Sequence, residues 1–150
     1  NSILESVGVS SQAVSFSGGG MLEAVLPVED LKRAISQNLD NLDDVLADEA
    51  VFTSPVVFKP MEGKEMSKLY LHAAGQSFNM EKFSYIREVH DGLHSILEFE
   101  TYIDDVSVNG VDMIEWNEEG KIIDFKVMIR PLKAVHKVQE KMVESLNKYK

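Results

Sequence analysis

From residue 82 to residue 130 the apolar residues recur at every second position, and turn-forming residues interrupt the pattern three times. That stretch limits the fold more than any other part of the chain. Segments 82–90, 94–103, 106–117 and 121–130 read as β-strands. Asp91-Gly92, Asp104-Asp105 and the run from Asn117 to Gly120 read as the turns between them. Joints this short leave no room for a crossover, so consecutive strands must pair antiparallel in a meander.

The first half is mainly helical. Pro27-Val28-Glu29-Asp30 puts a proline and two acids in an opening helical turn, where the positive end of the helix favours them. Leu31, Ile35 and Leu39 follow at four-residue spacing. Asn38, Asp40 and Asn41 break that helix, and Leu42, Val45 and Leu46 suggest a short second one. Ala50 to Thr53 reads as a further strand stopped by Pro55, with Val56-Val57-Phe58 as a short extension before Pro60. After Gly63 the spacing predicts an amphipathic helix with Met66, Leu69, Tyr70, Ala73, Ala74, Ser77 and Phe78 on its apolar face. Pro131 ends the last strand and opens a final helix striped by Leu132, Val135, Val138, Met142, Leu146 and Tyr149. Helices followed by a run of antiparallel strands indicate an α+β domain, with one sheet face covered by helices and the other left to water or a second subunit. Residues 1–20 are Ser- and Gly-rich and read as a flexible arm or linker; residues 21–150 read as one domain.

Composition removes several classes of function. The absence of cysteine excludes disulfides, thiolate catalysis and cysteine zinc sites. A formal net charge of -10 repels phosphate backbones and anionic lipid, so neither nucleic acid nor membrane is an expected partner. No apolar run approaches the ~20 residues that span a bilayer, and no signal-peptide pattern opens the chain. A cytoplasmic location is the expectation. His90, Asp91 and His94 flank an exposed turn tip with nothing to fix a ligand geometry, so they read as a solvated turn and no metal is expected. Phosphate-cradling glycine loops are lacking, and no cofactor is expected.

Strand alternation then sorts the faces. Ile123, Phe125, Val127 and Ile129 form the apolar set of the last strand, and Leu97, Phe99, Thr101 and Ile103 that of 94–103. In 106–117, Gly110, Asp112, Ile114 and Trp116 share a face, which puts Asp112 on the apolar side. Desolvation raises the pKa of such a carboxyl, and buried carboxyls are rare without a reason. On the residues alone, an outward Asp112, or one tying down a helix end or loop amide, stays open. Tyr85 and Arg87 share parity with Phe83 and Val89 and are candidates for the same cup. The alternative for Arg87 is an ion pair with Glu98 or Glu100 on the other face.

The stretches Ala47-Asp48-Glu49-Ala50-Val51-Phe52-Thr53-Ser54-Pro55, Gly110 to Ile122 and Val127-Met128-Ile129-Arg130-Pro131-Leu132 resemble the nuclear transport factor 2-like proteins. These include the SnoaL-like cyclases, the ketosteroid isomerases and many uncharacterised bacterial members. The resemblance implies a cone-shaped, cystatin-like curved antiparallel sheet wrapped by helices around a pocket. Ketosteroid isomerases carry an aspartate base before a proline at the end of the first strand; Ser54 stands there, before Pro55. Their first-helix tyrosine has no counterpart between Val28 and Leu39. Their protonated aspartic acid, a donor to the developing oxyanion, corresponds to Asp112. Limonene-epoxide-hydrolase-like members place an arginine two residues before the first aspartate, where Gly110 stands.

The expectation is therefore a pocket for a small, mainly apolar or weakly polar molecule. Phe52, Phe78, Tyr85, Arg87, Phe99, Ile114, Trp116, Phe125 and Val127 are expected to line it. Asp112 would be the anchor or general acid and Ser54 a second candidate for catalysis, in cofactor-independent isomerase, cyclase or hydrolase chemistry. The alternative is a non-enzymatic binding or scaffold module, a homodimer through the outer sheet face where Val111 and Met113 mix with Glu98, Glu100, Lys126, Met128 and Arg130.

Overall fold

The computed structural model describes residues 26–37 and 41–148. The expected arm over 1–20, the domain start at 21, the helix break at 38–40 with Leu39, the side chain of Ile35, and Tyr149 lie outside the described residues. The elements are α1 (Val28–Gln37), α2 (Leu42–Val45), β1 (Leu46–Thr53), β2 (Met61–Glu62), α3 (Lys64–Ser77), β3 (Ser84–Asp91), β4 (His94–Ile103), β5 (Val106–Trp116), β6 (Ile122–Arg130) and α4 (Leu132–Asn147). The strands form one curved, unclosed sheet in the order β2-β1-β6-β5-β4-β3, so β2 and β3 are its edges.

The four-stranded meander is present, antiparallel throughout, with turns where the turn residues stand. Gly92 and Asp104 adopt positive φ values of 60° and 55°, which tight hairpin joints require. The first half departs further from expectation. β1 begins at Leu46, which belongs to the strand rather than to α2, and it joins β6 in parallel. Val56-Val57-Phe58 do not extend it. Pro55 and Pro60 each remove a backbone donor, and the chain crosses that gap as loop before returning as the two-residue β2.

Helices α1, α3 and α4 cover the inner face, and the core fills the space between. Leu31 and Ala34 bury from α1, and Val138 and Met142 from α4; Leu132 lies on the flank and is exposed. The buried stripe of α3 runs through Ser67, Leu71 and Ala74, so Met66 turns outward. Ser67 explains that rotation. Its hydroxyl donates to the carbonyls of Ala50 (3.0 Å) and Met61 (3.3 Å), pinning the small-residue side of the helix against β1 and β2.

Two irregularities set the faces of the sheet. β6 carries an extra residue opposite the Glu115–Trp116 step: Trp116 pairs with Ile122 and Glu115 with Asp124. Ile123 is thereby left out of the ladder and Ile122 takes the fully buried place expected of it. β3 carries another: Tyr85 pairs with Phe99 and Arg87 with Glu98, leaving Ile86 between them. From Arg87 onward the alternation of β3 is reversed.

Candidate functional site

Regular alternation holds through β4 and β5, so Leu97, Phe99, Ile114 and Trp116 are buried and Asp112 is buried with them. A carboxylate there loses its hydration, and burial lifts the Asp112 pKa to about 7; the hydrogen bond from Tyr85 works the other way. The Tyr85 hydroxyl donates to Oδ2 of Asp112 at 2.7 Å. Burial, and next the charge of Asp112, push the Tyr85 phenol well above its ordinary value, so it remains a donor. No Lys, Arg or His among the described residues forms an ion pair with Asp112.

Asp112 borders a cavity of about 20 Å³, enclosed by Tyr85, Phe78, Phe83, Phe99, Phe125 and Val127 with parts of α3 and α4. That is room for about one water-sized group. Phe83 and Phe99 stack at 5.0 Å between ring centroids, and Tyr85 meets Phe83 edge-on at 5.0 Å. Gly110 makes the stack possible. A Cβ at 110 would meet the Phe99 ring and approach the Met128 carbonyl oxygen to 2.8 Å, so the ring occupies the space a side chain would take.

Several expected lining residues are elsewhere. Phe52, Ile114 and Trp116 are fully buried core and do not border the cavity. Arg87 points away from the cup because of the bulge at Ile86; its side chain is 75% exposed and its Nε lies 3.1 Å from Glu98 Oε1. Ser54 is buried, but its hydroxyl accepts the Val56 N–H at 3.1 Å and touches the Met142 sulfur, so it is a turn brace outside the cavity lining.

A second polar cluster was not read from the sequence. His90 is not a solvated turn residue: its Nδ1 lies 2.7 Å from the buried Ser95 Oγ, which also accepts the Trp116 indole N–H at 3.0 Å. His90 Nε2 lies 3.3 Å from Glu88, which accepts from Lys32 of α1 at 2.8 Å. The bond from His90, then that from Lys32, holds the Glu88 carboxyl down at about 2. Lys32 also sits 5.0 Å from the Tyr85 ring centroid. The cluster ties α1 to the sheet edge, and its serine is sealed from solvent. The signal was present: Ser95 shares parity with Leu97, and a buried hydroxyl requires a partner. Among the described residues no group of three or more His, Cys, Asp or Glu is placed to hold a metal ion, and no helix is long and apolar enough to cross a membrane.

No family model and no curated protein matches the sequence. Solved structures do match. A steroid delta-isomerase from Pseudomonas aeruginosa aligns with a TM-score of 0.76 and 29% identity over 87% of this chain and 98% of that one. A bacterial protein with a cystatin-like fold from Silicibacter pomeroyi aligns at 0.73 and 28%, over 78% and 82%. A SnoaL-like polyketide cyclase from Jannaschia shares the fold at 0.60 and 12%, over 79% and 97%. With its meander, its helix-covered inner face and these structural neighbours, the chain has the nuclear transport factor 2-like fold.

Proposed function

We propose that this protein binds a small, mainly apolar molecule in the cup and that Asp112 engages the molecule's one polar atom. The observation that carries the reading is a buried carboxyl, held by Tyr85, on an aromatic wall with no ion-pairing cation among the described residues. Protonated, Asp112 donates to a ligand oxygen through Oδ1 while Oδ2 accepts from Tyr85; ionised, it accepts from a ligand donor. The neighbour named as a steroid delta-isomerase supports an acid role for Asp112 in cofactor-independent chemistry. Ser54 supplies no base, and Asp112 and Tyr85 are the titratable side chains that border the cavity. Binding is therefore the primary reading and proton transfer the secondary one. A ligand larger than water must displace the rings of Phe78 and Phe83, both half-buried near the β3 edge.

The test is fluorescence titration with 2-naphthol, an aromatic with one hydroxyl. Asp112→Leu should weaken binding at least tenfold without lowering thermal stability, since a buried unpaired carboxyl costs stability. Unchanged affinity in a stabilised Asp112→Leu protein sinks the reading.

A second reading concerns the outer sheet face. There Val89, Ile96, Val111 and Met128 line a groove of about 340 Å³ rimmed by Arg87, Glu98 and Arg130, with Val89 and Met128 about half exposed. An apolar groove with a paired, charged rim suits a two-fold contact between copies of the chain. Sedimentation at micromolar concentration should show a dimer; a monomer counts against it.

A further inference from the structure

Among the described residues that border the cup, the one acidic carboxyl is that of Asp112. The side chain of Asp112 accepts from the neutral Tyr85 hydroxyl, its one side-chain hydrogen-bond partner among the described residues. Around it stand the π-systems of Phe78, Phe83, Tyr85 and Phe99, linked at centroid separations of 5.0 to 6.4 Å. Among the described residues no lysine, arginine or histidine borders the cavity. The nearby cation, Lys32, lies over the Tyr85 ring, outside the lining, and is engaged by Glu88 and Glu29. It shows that this ring takes a cation at 5.0 Å, yet it leaves the carboxyl uncompensated. An aromatic-lined cup with one carboxylate and, among the described residues, no positive side chain in its lining is complementary to a positive guest, through charge and through cation–π attraction together. The formal net charge of -10 adds a long-range field of the same sign.

We infer that the guest of the cup is a small alkylammonium ion, its N–H donating to Asp112 and its alkyl groups lying against Phe78, Phe83 and Phe99. This deepens the proposed function and rests on the cup being the ligand site. The ammonium donates to Oδ1 while Tyr85 holds Oδ2, so the carboxylate becomes paired without any protein cation. The alkyl groups displace the half-buried ring of Phe83 outward, and the small cavity sets a limit of few carbons.

Ligand-observed NMR titration of the full chain near pH 8 with isopropylamine, protonated at that pH, and with 2-propanol, its neutral match in size, tests the inference. The ammonium should bind at least tenfold more tightly than the alcohol. Asp112→Asn should bring that ratio to about one, and Phe83→Leu should weaken the ammonium several-fold while sparing the alcohol. Equal binding of the two by the wild-type protein overturns the inference and needs no variant to fold. A preference that persists in Asp112→Asn also overturns it, because the cation is then read outside the cup. If 2-naphthol binds in an Asp112-dependent manner and isopropylammonium does not, the inference fails and the cup remains a ligand site. If neither binds, both fall.

Discussion

The two faces of β4 and β5 solve the same electrostatic problem in opposite ways. On the outer face Arg87 meets Glu98, whose other oxygen accepts from Asn109, and Arg130 reaches Asn109 in turn. Every one of these groups has a partner and some access to water. Three residues along β5 from Asn109, on the inner face, Asp112 is buried, and among the described residues its side-chain partner is a phenol rather than a cation. Paired charges at a surface stabilise by about 0–1 kcal/mol and are of small consequence. A buried carboxyl without a counter-ion is costly, and perturbed groups of this kind cluster at functional sites.

That contrast has measurable edges. The largest lies in pH. The Asp112 pKa rises on folding from 3.8 to about 7, so the folded state holds the extra proton. The associated stability is complete below about pH 4 and is lost as pH rises through 7, a change of at most about 4 kcal/mol. Glu88 behaves in the opposite sense: its pKa falls from 4.5 to about 2, so its contribution is present above pH 4.5 and fades as pH falls toward 2. Thermal unfolding of the wild-type protein should therefore weaken from pH 5 to pH 8, and Asp112→Asn should flatten that decline. An unchanged slope would place the carboxyl in contact with water or a cation.

Next in size is Gly110→Ala. Its methyl must move either the Phe99 ring or the β6 backbone at the Met128 carbonyl, and overpacking of this kind costs about 1–3 kcal/mol by denaturant titration. A neutral result would show the aromatic wall to be loose. The smallest effect belongs to the outer face: Arg87→Ala should cost under about 0.5 kcal/mol, because its partner remains hydrated. A larger loss would mean that the pair is covered, as a dimer would cover it.

How much of this was legible depends on whether alternation survived. In β4 and β5 it did, so the inward position of Asp112 follows from counting residues from Trp116 and Phe99. In β3 and β6 a single extra residue reversed it. Ile86 and Ile123 look like any strand isoleucine, and nothing in their neighbourhood marks a bulge. Arg87 was misplaced into the cup for that reason, and Ile122 was passed over. Tyr85 meeting Asp112 is a contact across two strands whose register one bulge alters. Phe52, Ile114 and Trp116 were correctly placed inside the molecule, but which buried residues border a cavity depends on how closely the helices settle. The resemblance carried the fold well. It carried little chemistry, because its base position holds Ser54 and no tyrosine stands between Val28 and Leu39; the tyrosine beside Asp112, Tyr85, belongs to β3.

The spare residue at Ile86 has a consequence beyond aim. β3 is an edge strand, hydrogen-bonded to β4 alone, so its ladder can be rearranged without disturbing a second neighbour. Were the surplus residue taken into the ladder, every side chain after it would change sides. Arg87 would swing inward, and Glu88 and His90 would swing out. A one-residue slip of this edge strand would bring an arginine of the chain's own to the inner face, where its guanidinium would compete with the proposed guest cation for the same carboxylate.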